Sequence, residues 1–362
     1  MLNSYPLPIG LNYHTLTEQP FALQSSKQLP KVEIAYTTLG TRAEDDSNVV
    51  LVLHALSGSS DCAAWWPGLI GKGKLIDPSR DFVLCANFLG SCYGSTGPED
   101  ILFPEITIRD IARTQLLLLQ ELGIRKLRLA IGGSMGAMVL LELALLNQEA
   151  GSPISIELIV PIATGADHSA WRVAFSSTIR KTIELLGKSE AAGGYEEGLR
   201  LARQIAMISY RSKQEFDGRF GRQRKDEQFE VESYLEHHGA KIVDRFSPFA
   251  YRTLTKAMEL FDITESRSGS LADILARIDY QALFIGISSD ILYTEAEIKL
   301  VAALLPLGSY VTLEAPYGHD SFLISDGETE VKLTRLIKDF LRDSASPVSS
   351  DDSSTSDLRY AH

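Results

Sequence analysis

The sequence predicts an α/β protein with an open, mostly parallel central sheet, helices on both of its faces, and a helical lid insertion. Two observations predict it. Short apolar runs alternate with stretches of helical spacing, the pattern of parallel strands joined by crossover helices. That alternation stops from about residue 166 to 279, where the patterns are helical only. A third observation concerns what the sheet carries: Gly132-Gly133-Ser134-Met135-Gly136, a G-x-S-x-G, lies between a strand-like run and a helical one.

The strand-like runs are, in order, KVEIAYTTLG from Lys31, NVVLVLHAL from Asn48, DFVLCANFLG from Asp81, KLRLAIGG from Lys126, IELIVPIATG from Ile156, QALFIGISSD from Gln281 and SYVTLEAPYG from Ser309. Several are continuously apolar, as expected of strands buried on both faces. TIRDIARTQLLLLQELG reads as a helix with Thr107 as its N-cap, Asp110 three residues on and Gly123 at its end. After the G-x-S-x-G, Ala137 to Asn147 carry alanine and leucine at helical spacing. Within the interruption four helices are expected, in AWRVAFSSTIRKTIELL, YEEGLRLARQIAMISYRS, FEVESYLEHHGAKIVDRF and YRTLTKAMELF, with no strand among them. A helical block between two sheet strands reads as a lid over the edge where ligands bind in open α/β sheets. The organisation expected is a core in 1–165, the helical lid in 166–279, the rest of the core in 280–343 and a disordered serine- and aspartate-rich tail in 344–362.

The 362 residues are 44% hydrophobic and 23% charged, an ordinary globular composition. A net charge of −12 argues against non-specific nucleic-acid binding. No apolar run approaches the roughly 20 residues of a spanning helix, so no membrane role is expected. The N-terminus lacks the basic and apolar regions of a secretory signal. Cys62, Cys85 and Cys92 fit no metal spacing, and the simple reading is a reduced, cytoplasmic protein with no bound metal.

In a nucleophile elbow a serine sits on a sharp strand-to-helix turn, with its hydroxyl exposed beside free helix N–H groups. A serine nucleophile needs a base and an orienting acid. The order in an α/β-hydrolase fold is serine, acid, histidine. Of the histidines after Ser134, only His319 follows a late strand, and the preceding strand-like run ends in Asp290. Ser134, Asp290 and His319 are therefore the candidate triad. The expected oxyanion donors are the backbone N–H groups of Met135 and Leu56. His54, in the same loop as Leu56, reads as a hydrogen-bonding support for that loop.

LVLHALSGSSDCAAWWPGLIGKGKLIDPSRDFVLCANFLGSCYGSTGP, ITIRD, GGSMGAM, ARQIAMISYRS, FEVESYL, RFSPFAY and YGHDSFL, in this order between about Ser26 and Arg342, resemble the homoserine O-acetyltransferase family of the α/β-hydrolase superfamily. The resemblance implies acetyl transfer from acetyl-CoA, a co-substrate with no bound cofactor, to the hydroxyl of L-homoserine in methionine biosynthesis. It implies Arg203, Tyr210, Asp320 and Ser57 as substrate-binding residues: Arg203 contacts substrate in the tunnel, and Asp320 holds the amino group. Ser57 stands where many members have threonine, and Ala137 where a glycine is common. A homodimer assembled through the helical lid is also implied. The competing readings are an L-serine O-acyltransferase, a succinyl-CoA-dependent homoserine acyltransferase, a carboxylesterase or thioesterase, and a non-catalytic hydrolase-fold binding protein.

Overall fold

The strand-like runs form one eight-stranded sheet in the computed structural model, which describes residues 5–189 and 193–345. Its strands are β1 (Asn12–Thr15), β2 (Glu33–Leu39), β3 (Val49–Leu53), β4 (Phe82–Ala86), β5 (Leu129–Gly133), β6 (Leu158–Ile162), β7 (Gln281–Ile287) and β8 (Gly308–Leu313). They lie in the order β1-β2-β4-β3-β5-β6-β7-β8. The first two pairings are antiparallel and the rest parallel. Every residue of β3, β5 and β6 is buried, which is why these strands read as unbroken apolar runs. The edge strand β1 was not expected. Its Asn-Tyr-His-Thr is exposed or half-buried throughout, so it carries no apolar signal. The run from Lys126 also divides: Lys126–Leu127 pairs with Ser155–Ile156 outside the central sheet.

Helix α1 (Ile108–Glu121) begins as its sequence requires. Thr107 accepts the Asp110 N–H, Asp110 accepts the Thr107 N–H, and Gly123 takes a positive φ just past the end. Helix α2 (Met135–Glu149) is buried on nearly all sides, apolar all round as a central helix must be. Its Glu142, 2% exposed, is held by Arg109 and Arg267 at 3.1 and 2.8 Å. Arg267 lies within residues 166–279, after the last long helix there, so this buried carboxylate ties that segment to the core. Glu142→Ala leaves two arginines without their shared partner. A loss of about 3–5 kcal/mol is expected in chemical denaturation, and an unchanged midpoint would show the network to be energetically idle.

Between β6 and β7 the chain forms α3 (Ala170–Gly187), α4 (Gly194–Tyr210), α5 (Lys213–Arg219), α6 (Glu230–Val243) and α7 (Pro248–Glu259). Helix α3 packs on α4 and α7, and α4 on α6. Three features differ from expectation: the short α5, a five-residue helix at Leu271–Leu275, and a two-residue pairing of Arg224–Lys225 with Gln228–Phe229. All are too short to leave a periodic signal. Helices α8 (Glu295–Leu304) and α9 (Thr329–Ala345) complete the core. The tail expected to be disordered lies, from residue 346 on, outside the described residues. Among those described, no helix is long and apolar enough to cross a membrane, and no cluster of ligating side chains suits a metal ion.

Candidate active site

Ser134 joins β5 to α2 at φ +55° and ψ −122°, a strained conformation for a residue with a side chain. The turn is possible because strand and helix cross without side chains between them. A Cβ on Gly132 would stand 2.6 Å from the Gly136 carbonyl carbon, and one on Gly136 would stand 2.2 Å from the Leu53 oxygen. Gly136 therefore brings the start of α2 against the end of β3. The loop of residues 54–58 then lies beside the serine.

His319 and Asp290 come from the loops after β8 and β7. The Ser134 hydroxyl and His319 Nε2 are 2.8 Å apart, and His319 Nδ1 is 2.7 Å from Asp290 Oδ2. The second oxygen of Asp290 accepts the Leu292 and Tyr293 N–H groups at 2.7 and 3.2 Å. The carboxylate is thus fixed from both sides, and it directs the Nδ1 proton toward itself. Nε2 is left with a lone pair for the Ser134 proton. Burial alone would lower the His319 pKa, but the charge and hydrogen bond of Asp290 outweigh it, and the pKa lies above the ordinary value of 6.5. Tyr293 stacks on the imidazole, with ring centroids 5.4 Å apart.

The two expected oxyanion donors share a construction. The Leu56 N–H lies in the peptide plane of the Ala55 carbonyl, which is held by His54 Nδ1 at 2.8 Å and the Gly58 N–H at 2.9 Å. The Met135 N–H lies in the plane of the Ser134 carbonyl, which accepts the Ala137 and Met138 N–H groups. Neither donor has a hydrogen-bond partner of its own among the described residues. Fixed peptides with free N–H groups are what a developing oxyanion requires. His54 accepts the Phe88 N–H at Nε2, and burial lowers its pKa to about 4, so it is a neutral loop support, as its sequence context suggested.

Ser134 and His319 open onto a cavity of about 470 Å³ that also contains Ser57, Arg203, Tyr210 and Asp320. All the candidate side chains therefore meet at one place. Arg203 makes no ion pair within 4 Å among the described residues, and its guanidinium lies 5.6 Å from the Tyr210 ring centroid. Burial holds the Tyr210 phenol protonated, well above its ordinary pKa. Asp320 already faces a cation, Arg211, at 3.5 Å. Arg211 was not anticipated, because its local partner Glu215, four residues on, explains it as a helical ion pair. Arg245 was also missed. It donates to the Ser57 carbonyl at 2.7 Å and to the Tyr93 hydroxyl at 3.3 Å, and it lines the same cavity. One signal was available: no carboxylate stands three or four residues from Arg245 on either side.

Comparison with known proteins agrees with this geometry. The family described as alpha/beta hydrolase fold matches residues 48–326. The chain is 43% identical over 323 residues to a homoserine O-acetyltransferase of Trichormus variabilis, covering 84% of this chain and 88% of that protein. Another, from Chlorobaculum parvum, is 40% identical over 341 residues, covering 89% and 92%. The chain belongs to the homoserine O-acetyltransferase family. Among solved structures, a homoserine O-acetyltransferase from Staphylococcus aureus superposes with a TM-score of 0.75 at 25% identity, covering 91% of this chain and 95% of that one. An acetylester hydrolase from Corynebacterium glutamicum reaches 0.77 at 23% identity, covering 91% and 96%, and at that identity the likeness concerns the fold alone. Membership in the homoserine O-acetyltransferase family matches the resemblance carried by the sequence motifs.

Proposed function

We propose that this chain transfers an acetyl group from acetyl-CoA to L-homoserine, giving O-acetyl-L-homoserine in methionine biosynthesis. The observation that carries the reading is the Ser134–His319–Asp290 relay, opening onto a cavity with Arg203 and Asp320, in a chain about 40% identical to homoserine O-acetyltransferases. Ser134 is the nucleophile. His319 takes its proton as Oγ attacks the thioester carbonyl, and the oxyanion rests on the N–H groups of Leu56 and Met135. The C–S bond breaks, the proton passes from His319 to sulfur, and CoA leaves as the thiol. The homoserine hydroxyl then gives its proton to His319 and attacks the acetyl carbon. Collapse returns the proton to Ser134. Arg203 takes the homoserine carboxylate, and the Asp320 carboxylate attracts the ammonium group. Tyr210 and Ser57 line the acceptor's path.

Water can replace homoserine in the second half, so a transferase must shield the acyl-enzyme. The segment of residues 166–279, which supplies Arg203, Tyr210 and Arg245 to the cavity, is proposed as that shield. Leu185, Leu201 and Ile208 on α3 and α4 are 67, 40 and 51% exposed, which supports a homodimer through these helices. Sedimentation that finds only monomer at micromolar concentration would remove the dimer. The cytoplasm is the proposed location, consistent with three free cysteine thiols.

The deciding experiment follows thiol release with acetyl- or succinyl-CoA against L-homoserine, L-serine or water. Fast release with acetyl-CoA and homoserine alone is expected. Equal release without an amino acid would make the protein a thioesterase. The pH profile gives a further check. The imidazolium form of His319 cannot accept the Ser134 proton, so kcat/KM for acetyl-CoA should fall as pH drops through the pKa of the free enzyme. That acid limb is expected above 6.5, the ordinary histidine value. A midpoint well below it would mean that burial, and not Asp290, governs the base.

A further inference from the structure

Ser134 faces two cavities. The wide one holds the charged acceptor residues. The second has a volume of only about 40 Å³ and shares Leu56, Ser134, Tyr210 and His319 with the first. Its remaining apolar wall comes from Phe175 and Ile179 on α3, Met258 on α7, and Leu292 and Tyr293 after β7. Phe175 is half-buried, and the other four are at most 8% exposed. The Leu292–Tyr293 wall is pinned by the same carboxylate that orients His319.

An acyl group on Ser134 has three directions to fill. Its oxygen points to the Leu56 and Met135 N–H groups. The CoA sulfur, and later the acceptor oxygen, must come and go through the wide cavity, within reach of His319. The acyl chain is left with the remaining space. We propose that the second cavity is the acyl pocket, and that Ile179 and Met258 help limit the accepted chain to two carbons.

The size suits a methyl group. It is about a quarter of the ~150 Å³ that admits benzene. A succinyl group adds a methylene and a carboxylate, and the charge is excluded as well as the bulk. The buried cation on this cavity is Arg172, 3% exposed, and it already carries Asp167 and Glu297 at 3.2 and 3.1 Å. Its charge is already more than balanced by these two, so a succinyl carboxylate would enter an apolar site as an unpaired negative charge. Neighbouring polar side chains already have partners: His168 meets Ser176 at 3.1 Å and the Tyr293 hydroxyl at 3.5 Å, and Ser209 and Thr255 donate to the Ala206 and Tyr251 carbonyls.

This inference rests on Ser134 acylation by a CoA thioester. The test therefore measures both. The purified full chain is mixed with acetyl-, propionyl-, butyryl- or succinyl-CoA without acceptor, and the mass of the intact chain and the free thiol are followed. Each extra methylene in a tight apolar pocket costs about 10- to 200-fold. Acetyl-CoA should therefore exceed butyryl-CoA in kcat/KM by at least about 100-fold, with no succinyl-enzyme formed. Met258→Ala should raise the butyryl-to-acetyl ratio by about 10-fold or more. Ile179→Ala is the second enlargement, should the first not fold. Butyryl- or succinyl-CoA acylating the wild-type chain about as fast as acetyl-CoA overturns the acyl pocket and leaves the reaction intact. So does an unchanged ratio in both variants. An absence of acyl-enzyme from every thioester overturns the reaction itself, and the pocket with it.

Discussion

Ser134→Ala is expected to lower kcat by roughly ten-thousand- to a million-fold and to remove the acetyl-enzyme entirely. The estimate follows from relays in which nucleophile and base act as one unit, so that loss of either forfeits most of their joint effect. The fold should survive. Alanine inherits the +55° φ of the serine without adding bulk, and the hydroxyl removed has His319 as its side-chain partner. The melting temperature should therefore stay within a few degrees. In the wild-type chain, brief mixing with acetyl-CoA alone should add one acetyl group to Ser134, and initial rates should give parallel double-reciprocal lines. Intersecting lines with no adduct would replace the covalent route by direct transfer between two bound substrates.

Arg203→Gln should reduce kcat/KM for homoserine by roughly 30- to several-thousand-fold. The change removes a planar cationic fork and keeps an amide donor on a side chain two bonds shorter. Losing one partner of a desolvated charge-assisted contact costs about 2–5 kcal/mol, and the fold-change is that cost expressed as a rate. Arg203 is the cleaner of the two proposed acceptor residues to test. It has no ion-pair partner within 4 Å among the described residues, whereas Asp320 faces Arg211 at 3.5 Å and adjoins His319. Asp320→Asn would leave Arg211 with Glu215 as its one remaining carboxylate partner among the described residues, and would alter the field on the base as well as the proposed acceptor site. Acetylation of Ser134 without acceptor should change much less in Arg203→Gln than transfer does. If both halves slow equally, Arg203 serves the CoA or acyl site.

The relay was legible because each member marks the end of a strand. Ser134 follows β5, Asp290 follows β7 and His319 follows β8, so chain order and strand pattern located them although Ser134 and His319 are 185 residues apart. Thr107 and Asp110 were legible for a similar reason, since a capping box is complete within four residues. Arg245 was not. Its spacing excludes a local helical partner, but nothing in its neighbourhood names Ser57, 188 residues away, as the group it meets. Strand β1 escaped because half-exposed polar residues at a sheet edge have no apolar period to read.

The amino-acid sequence by itself determined seven of the sheet's eight strands, the elbow, the three side chains that meet at Ser134 and the presence of a long helical block. These rest on local properties: the period of apolar residues, the glycines that permit a tight crossing, and caps satisfied within a turn. Tertiary structure alone decided how the space around Ser134 is divided. The wide cavity and the 40 Å³ one are separated and bounded by side chains from the loop after β3, from α3, α4 and α7, and from the loops after β7 and β8. A cavity is the volume that close packing leaves unfilled. It depends on the relative positions of distant segments to within a methyl group, and no local pattern encodes such a distance.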